Sequence, residues 1–524
     1  MMRQWSGKTF DQETRHPSPE ETIERYWQTI GSKKPLRSLG WASDGETLLS
    51  EEARESHIHI LGAPGEGKSK FIEMFVEDDI RKGYGACVLD PSDNGDTCYK
   101  ILKFCAKHGY EKVILIDPHD GYAFRRLPTI NPFDYDAPAG VASGHIMDTI
   151  RVLWGSRVEE TPKINKYLPA ILNVLHASKM TLHEALYFTD KTHPYYKLKR
   201  EAMLDTVHPF DRSRVALESA YAKPPTLFAS EMDSTFRRLD PFFDDVMKLI
   251  VGSKHSPMDF PKLIADGWVI LINLDPSGVW GKEQQRLLGT LVVNEIMNGI
   301  NRLMANGWRG TYNVYIDEVG DYATQKLADM LDKKRKTGLR FCLAHQRFDQ
   351  IEDKNVLSSV MGSTKIKALF YTPNRDDRDK MLRMMYGGDI PDRQVSHILG
   401  QLKKQEAAIK INKQPPRITR LPDVPDIEID PKVFKAFKEK ILQHECYRSP
   451  AELLDEINAR LKTPPKTVHP EQPGESSEPR RPTRIRKTVA KHSATPNRRT
   501  NREARPPAAP QRTFKSVFSE EEDD

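Results

Sequence analysis

Residues 62–69 of this 524-residue chain are Gly62-Ala63-Pro64-Gly65-Glu66-Gly67-Lys68-Ser69. The spacing G-x-x-x-x-G-K-S is that of a phosphate-binding loop. An apolar run from His57 to Leu61 precedes the loop and suits a buried strand, and apolar side chains recur at helical spacing from Ser69 to Arg81. A strand, a glycine-rich loop and a helix in this order predict that backbone N–H groups surround phosphate oxygens at the positive end of a helix dipole.

Two side chains of the loop have predicted roles of their own. Lys68 is expected to reach the terminal phosphates of a bound nucleotide, and Ser69 is expected to ligate Mg²⁺. The alternative is a glycine-rich turn before an ordinary helix, which the order of strand, loop and helix disfavours. The loop therefore predicts a nucleotide site with Mg²⁺, but it does not by itself say which nucleotide is bound.

A second segment supplies candidate catalytic groups. The strand-like run from Tyr312 to Ile316 is followed by Asp317 and Glu318. Asp317 would hold Mg²⁺ directly or through a water, and Glu318 would polarise the attacking water, a general-base role typically worth ~10²–10⁴ in rate. An Asp-Glu pair can also be an ordinary strand terminus. Together with the loop, it indicates a hydrolase rather than a small-molecule kinase.

Composition limits the class of protein. The chain is long enough for two or three domains. No apolar run approaches the roughly 18 residues that span a bilayer, and the N-terminus lacks the apolar core of a signal peptide. The five cysteines have no C-x-x-C spacing, so reduced, packed thiols are expected. These features predict a soluble protein of a reducing compartment.

Charge is unevenly distributed along the chain. The formal net charge is +6, yet 480–515 alone carries twelve Lys or Arg against one acid, and 516–524 carries five acids. From residue 463 onward the chain is rich in Pro, Arg, Ser and Thr with few large apolar residues. Such a composition cannot bury a core, so a disordered basic tail with an acidic tip is predicted.

Strand and helix patterns alternate over most of the chain and predict an α/β fold with a mainly parallel, doubly wound sheet. Between 140 and 250 the pattern is helical only, which predicts an all-helical insert between the two halves of the nucleotide site. The predicted strands are His57–Leu61, Ala86–Asp90, Val113–Asp117, Trp268–Leu274, Tyr312–Asp317, Arg340–Ala344, Lys365–Tyr371 and Glu406–Ile411. The predicted divisions are an N-terminal segment at 1–55, an ATPase domain at 56–139 and 251–425, the insert at 140–250, a helical segment at 426–462 and the tail at 463–524.

Short motifs along the chain resemble conjugative coupling proteins, the DNA-pumping ATPases of type IV secretion within the wider HerA/FtsK group. The resemblance covers roughly 39–425 and implies a RecA-like P-loop ATPase fold for that region. The residues that carry it, beside the loop, are Leu39-Gly40, His57, Gly83-Tyr84-Gly85, Leu89-Asp90-Pro91, Thr129-Ile130-Asn131-Pro132-Phe133, Asp259-Phe260, Leu263, Trp268 to Asp275, Leu288-Gly289, Asp317-Glu318, Arg335 to Leu339 and Gln346.

The resemblance also implies two further site residues. Gln346 resembles the polar sensor that contacts the γ-phosphate or the attacking water, although a strand-end glutamine bonded to backbone is the alternative. Arg335 resembles the arginine finger that enters the neighbouring subunit's site, where such a group is worth ~10³–10⁵ in rate. Arg335 lies in a cationic run at a predicted helix end, where solvated cations are common, and Arg340 is a competing candidate.

The resemblance implies a homo-hexameric ATPase that uses ATP and Mg²⁺ and pumps DNA or a nucleoprotein substrate, with a relaxase or secretion-machine proteins as further partners. Most coupling proteins begin with two membrane-spanning helices, and this sequence shows none. The expected location is therefore cytoplasmic. Either a separate membrane partner holds the motor at the inner membrane, or the motor works free in the cytoplasm as HerA-type translocases do. The alternatives are a regulatory ATPase that nucleotide switches, and a secretion ATPase that moves protein substrates.

Overall fold

A computed structural model describes residues 36–118, 126–135, 139–154, 162–277, 281–332, 338–387, 393–423 and 425–462. Within them the main feature is an eleven-stranded sheet of order β2-β1-β12-β11-β10-β3-β9-β8-β4-β7-β5. The predicted tail at 463–524 lies outside the described residues. The strands are β1 Leu36–Ala42, β2 Gly45–Ser50, β3 Ile58–Leu61, β4 Gly85–Asp90, β5 Val113–Ile116, β6 Leu127–Pro128, β7 Val269–Asn273, β8 Tyr312–Ile316, β9 Leu339–His345, β10 Ile366–Leu369, β11 Glu406–Ile411, β12 Arg417–Arg420 and β13 Tyr447–Arg448.

The centre of the sheet is parallel. Every pairing from β10 through β3, β9, β8, β4 and β7 to β5 runs in the same direction. These strands are buried along their whole length, as expected for strands covered on both faces. The predicted α/β fold with a mainly parallel, doubly wound sheet is confirmed.

One edge of the sheet is antiparallel. β11 pairs antiparallel with β10, and β12, β1 and β2 continue outward in the same manner. Gly40 in β1 has φ +129°, and a Cβ there would lie 2.0 Å from the carbonyl oxygen of Arg420. Only glycine allows the two backbones to approach so closely at this position.

Helices separate most of the parallel strands. The helix after the phosphate loop ends at Gly83, which has φ +77° and donates its N–H to Asp79 and Ile80 carbonyls. The helices are α1 Glu51–Arg54, α2 Lys68–Lys82, α3 Asp96–His108, α4 Ala139–Trp154, α5 Pro162–Ala177, α6 Pro194–Leu204, α7 Arg212–Tyr221, α8 Pro225–Leu239, α9 Met247–Val251, α10 Phe260–Ala265, α11 Lys282–Ala305, α12 Gln325–Asp332, α13 Lys354–Ser363, α14 Arg375–Tyr386, α15 Arg393–Leu399, α16 Pro431–Ile441 and α17 Pro450–Lys462.

The helices α4 to α9 lie between β6 and β7 and pack on the sheet domain through α11. Asn294 on α11 donates to Thr149 Oγ1 on α4 over 2.9 Å. The C-terminal segment at 426–462 contacts β5, the strand at the edge of the sheet away from β2. Tyr447 Oη donates to the Leu115 carbonyl over 2.9 Å and accepts from the Leu115 N–H over 2.7 Å. No helix among the described residues is long and apolar enough to cross a membrane.

Candidate functional site

The phosphate loop lies at the carboxyl end of β3, between the ends of β9 and β10. Gly62 donates its N–H to the His345 carbonyl over 3.3 Å, and Ala63 donates to the Tyr371 carbonyl over 2.8 Å. Both strands next to β3 therefore fix the start of the loop. Ligands bind at this edge of open α/β sheets.

Two glycines of the loop are required by its shape. Gly67 has φ +117°, a backbone conformation that residues with a Cβ rarely adopt. Gly62 approaches Phe370 so closely that a Cβ would lie 2.6 Å from the Phe370 Cβ. Substitution at either position would deform the loop that the N–H groups depend on.

Lys68 lies across the loop it belongs to. Its side chain is almost fully buried, and Nζ donates to the Gly62 carbonyl over 2.9 Å and to the Ala63 carbonyl over 3.2 Å. Within the described part of the chain, the ammonium group thus has only backbone oxygens of the loop as its hydrogen-bond acceptors. A phosphate that enters the loop could replace those carbonyls as the acceptor.

Ser69 and Asp317 meet at the start of α2. Ser69 Oγ donates to Asp317 Oδ2 over 3.2 Å, so residues far apart in the sequence come together as predicted for a divalent-cation site. Burial raises the pKa of Asp317, while the nearby Lys68 opposes the increase and Asp90 adds to it.

This donor set fits Mg²⁺. The ion keeps several waters and takes one or two protein oxygens plus substrate phosphates, so a hydroxyl and one carboxylate suffice. A cage of three or more His, Cys, Asp or Glu side chains does not occur in the described part of the chain. The residues therefore suit a cation that arrives with the nucleotide.

Glu318 adopts a strained backbone conformation, with φ +50° and ψ +53°. Such left-handed geometry in a residue with a Cβ costs on the order of 1–3 kcal/mol and is concentrated at functional sites. Burial, and then the negative charge of Asp317, raises the pKa of Glu318. The half-buried carboxylate is a stronger base than an exposed glutamate, a property that suits general-base work.

Two amides hold the Glu318 carboxylate. Gln346 Nε2 donates to Glu318 Oε1 over 2.7 Å, and Gln350 Nε2 donates to Oε2 over 2.9 Å. Gln346, the predicted sensor, thus lies beside Glu318, the predicted base. Gln350 was not among the predicted site residues. It lies in the 3₁₀ turn Phe348–Gln350, and the folded turn is what brings its amide to Glu318.

A pair of stacked histidines lies in the sheet beneath the loop. His345 Nδ1 lies 2.8 Å from the Arg347 carbonyl, which can only accept, so Nδ1 carries the proton and Nε2 is an acceptor. His59 Nε2, 2.6 Å from His345 Nε2, is then the donor of that bond. Burial lowers the pKa of His345 to about 4 and holds that of His59 well below its usual value. Both rings are therefore neutral at pH 7 and add no charge to the loop.

Of the two candidates for the arginine finger, the structure describes Arg340. Arg335 lies outside the described residues. Arg340 is 8% exposed at the start of β9, and its guanidinium bonds Glu51 Oε2 over 2.7 Å. The phosphate loop is at the opposite end of the strands, so Arg340 lies away from its own subunit's loop.

A phosphate loop after a central parallel strand, with an Asp-Glu pair after a nearby strand, defines the P-loop NTPase class of fold. No protein-family model matches this sequence, and no curated protein matches it either.

Solved structures do resemble the fold. The plasmid coupling protein TrwB in complex with ADP and Mg²⁺ is 17% identical with a TM-score of 0.53, over 78% of this chain and 93% of that one. TrwB with the non-hydrolysable ATP analogue ADPNP is 16% identical with a TM-score of 0.53, over 78% and 94%. VirB4 of Thermoanaerobacter pseudethanolicus is 15% identical with a TM-score of 0.48, over 78% and 99%. The resemblance to conjugative coupling proteins is confirmed for the fold.

Proposed function

We propose that this chain is an ATP-hydrolysing motor that moves DNA. The observation that carries the hydrolytic part is the convergence of the phosphate loop, the Ser69–Asp317 contact and the amide-held Glu318 at one edge of the sheet. A binding-only switch would not require a base beside the metal-ligand position. The TrwB structures, one of which contains ADP and Mg²⁺, support the choice of nucleotide and metal.

Each residue of the site has its own role in the proposed hydrolysis. Loop N–H groups and Lys68 bind the phosphates, while Ser69 and Asp317 would hold Mg²⁺, which neutralises charge on the phosphate oxygens when bound. Glu318 accepts a proton from the water that attacks the γ-phosphate, and Gln346 orients that water. The rate gain comes from positioning and charge stabilisation, since phosphoryl transfer needs little covalent chemistry from the protein.

The DNA-moving part depends on the likeness of fold to the bacterial conjugative coupling protein TrwB. A ring of six copies would place Arg335 of each subunit in the site of the next. The basic tail at 480–515 supplies a second, sequence-independent contact to phosphates. A secretion ATPase that moves protein is the other candidate, and its hydrolysis would respond to polypeptide rather than to DNA.

The test is ATP hydrolysis by the full chain with and without DNA. We expect Mg²⁺-dependent hydrolysis that DNA stimulates. Lys68→Ala should abolish hydrolysis and weaken nucleotide binding, and Glu318→Gln should bind ATP normally and lose turnover by about 10²-fold or more. Glu352→Gln, which changes an exposed carboxylate, is the matched control and should behave like the parent. Parental turnover in Glu318→Gln would contradict the assignment of the base.

A further inference from the structure

We propose that Gln350 is a positioning residue for hydrolysis, which holds the Glu318 carboxylate where it can act on the attacking water. This inference rests on the proposed ATPase function and assigns an additional residue to the same site. Gln350 contacts Glu318 and acts through it.

The geometry gives Gln350 two separate roles. Its Nε2 donates to Glu318 Oε2 over 2.9 Å. Its Oε1 accepts the N–H groups of Gln346 over 2.8 Å and of Arg347 over 3.0 Å. One amide thus orients the base directly and also fixes the backbone of the residue that bonds the other oxygen of the base. Loss of the amide would free both sides of the carboxylate.

The backbone around Glu318 does not by itself fix the position of the Glu318 side chain. Glu318 is in the left-handed region, and the turn Val319–Asp321 follows it directly. A strained turn at the end of a strand does not fix a long side chain by itself. Because Gln346 and Gln350 each bond one carboxylate oxygen, the side chain has a single position rather than several rotamers.

A glycine brings the two turns together. A Cβ on Gly320 would lie 2.6 Å from the Gln350 carbonyl oxygen and 2.7 Å from its Cβ. The turn after Glu318 and the turn that carries Gln350 are therefore in backbone contact. A side chain at Gly320 would push Gln350 away from Glu318 without removing any donor or acceptor.

Two substitutions separate the roles of the amide. Gln350→Glu keeps an acceptor for the N–H groups of Gln346 and Arg347, removes the donor to Glu318 and places a second carboxylate beside it. Gln350→Met is similar in length and removes both. We expect kcat to fall about tenfold in Gln350→Met, the loss typical of one hydrogen bond to a charged group. In Gln350→Glu it should fall at least as far, because the two carboxylates also repel each other. KM and the affinity for ADPNP should stay within about twofold of the parent. Gln443→Met, at an exposed glutamine, is the control for the substitution itself.

A third variant tests the geometry with every polar group intact. Gly320→Ala should lower kcat in the same manner, with KM again close to that of the parent. Parental kcat in Gln350→Glu beside a loss in Gln350→Met would show that the amide only braces the backbone, and would overturn the inference.

Loss of nucleotide affinity together with kcat would also overturn it, since the loop itself would then have changed. An active parent with indifferent Gln350 variants would contradict this inference alone. A parent that hydrolyses no ATP would contradict the proposed function and this inference together.

Discussion

A buried group of charges links α2, the helix after the phosphate loop, to β8, the strand that precedes Asp317. Asp79 on α2 is fully buried and lies between two arginines. Arg54 donates to Asp79 Oδ1 over 2.5 Å and to Oδ2 over 3.0 Å. Tyr315 on β8 donates to the same carboxylate, and Arg37 Nη2 approaches it at 3.4 Å. Removal of this one charge would take away the main counterion of Arg54, while Arg37 would keep its contact with Asp78.

We predict that Asp79→Asn lowers the free energy of unfolding by about 3–5 kcal/mol, the cost of leaving a buried charge without its partner. Asparagine keeps the size and one acceptor oxygen, so the effect isolates the charge from the packing. Since whole domains are stable by about 5–15 kcal/mol, this change would remove a large share of the margin. Tyr315→Phe, which removes one hydrogen bond to the carboxylate, should cost about 1.5–3 kcal/mol.

The assay is urea unfolding of the full chain, followed by tryptophan fluorescence and by circular dichroism. The matched control is Asp426→Asn, because Asp426 pairs with Lys70 over 2.9 Å while 67% of its side chain is exposed. An exposed pair contributes about 0–1 kcal/mol. If Asp79→Asn and Asp426→Asn shift the unfolding midpoint equally, the carboxylate is not the counterion that the geometry indicates.

The remaining predictions concern assembly, pH and the tail. If Arg335 acts in the neighbouring subunit, a mixture of Arg335→Ala and Lys68→Ala chains should recover part of the ATPase activity that each lacks, and no recovery in rings shown to be mixed would exclude it. The pKa of His345 is lowered from 6.5 to about 4, so acidification below pH 6.5 protonates the unfolded state first, and this residue should lower stability by about 3 kcal/mol by pH 4. His345→Gln should make the pH dependence of stability shallower without abolishing it, because the pKa of His59 is lowered as well. An unchanged slope in urea unfolding would contradict a buried, neutral His345. Truncation at Thr463 should keep basal hydrolysis but weaken DNA binding and reduce its salt dependence, and an unchanged salt slope in a filter-binding titration would leave the tail without this role.

Much of the fold was predictable because its signals are local. Each parallel strand is a short apolar run between helical patterns, and burial on both faces removes the alternation that would make it ambiguous. The phosphate loop and the Asp317-Glu318 pair were found for the same reason, since each is a contiguous motif in its expected context. Ser69 follows β3 and its loop, and Asp317 follows β8. Because β3 and β8 belong to one parallel sheet, their carboxyl ends lie at the same edge, and the two residues can meet there.

Of the antiparallel edge, β11 was predicted with the bounds it has, whereas β1 and β12 were not predictable in this manner. β1 contains Arg37 and Gly40, both unusual for a buried strand, and nothing near it in the sequence compensates for them. Arg37 is buried because Asp78 and Asp79 on α2 neutralise it. Gly40 is tolerated because β12, far away in the chain, needs the space a Cβ would fill. Both explanations require tertiary contacts, and a single sequence does not display them.

Arg340 shows how the structure narrows a choice that the sequence left open. A finger that enters a neighbouring site must carry its guanidinium out of its own subunit. Arg340 is instead 8% exposed and bonded to Glu51. Burial alone would raise the pKa of Glu51, but the nearby cations Arg54, Lys82 and Arg37 outweigh it and lower that pKa to about 2. Freeing Arg340 would leave the ionised Glu51 with one cation fewer in a partly buried cluster, a cost of the same kind as that expected for Asp79→Asn. Of the two candidates, Arg335 is therefore the one to test as the finger.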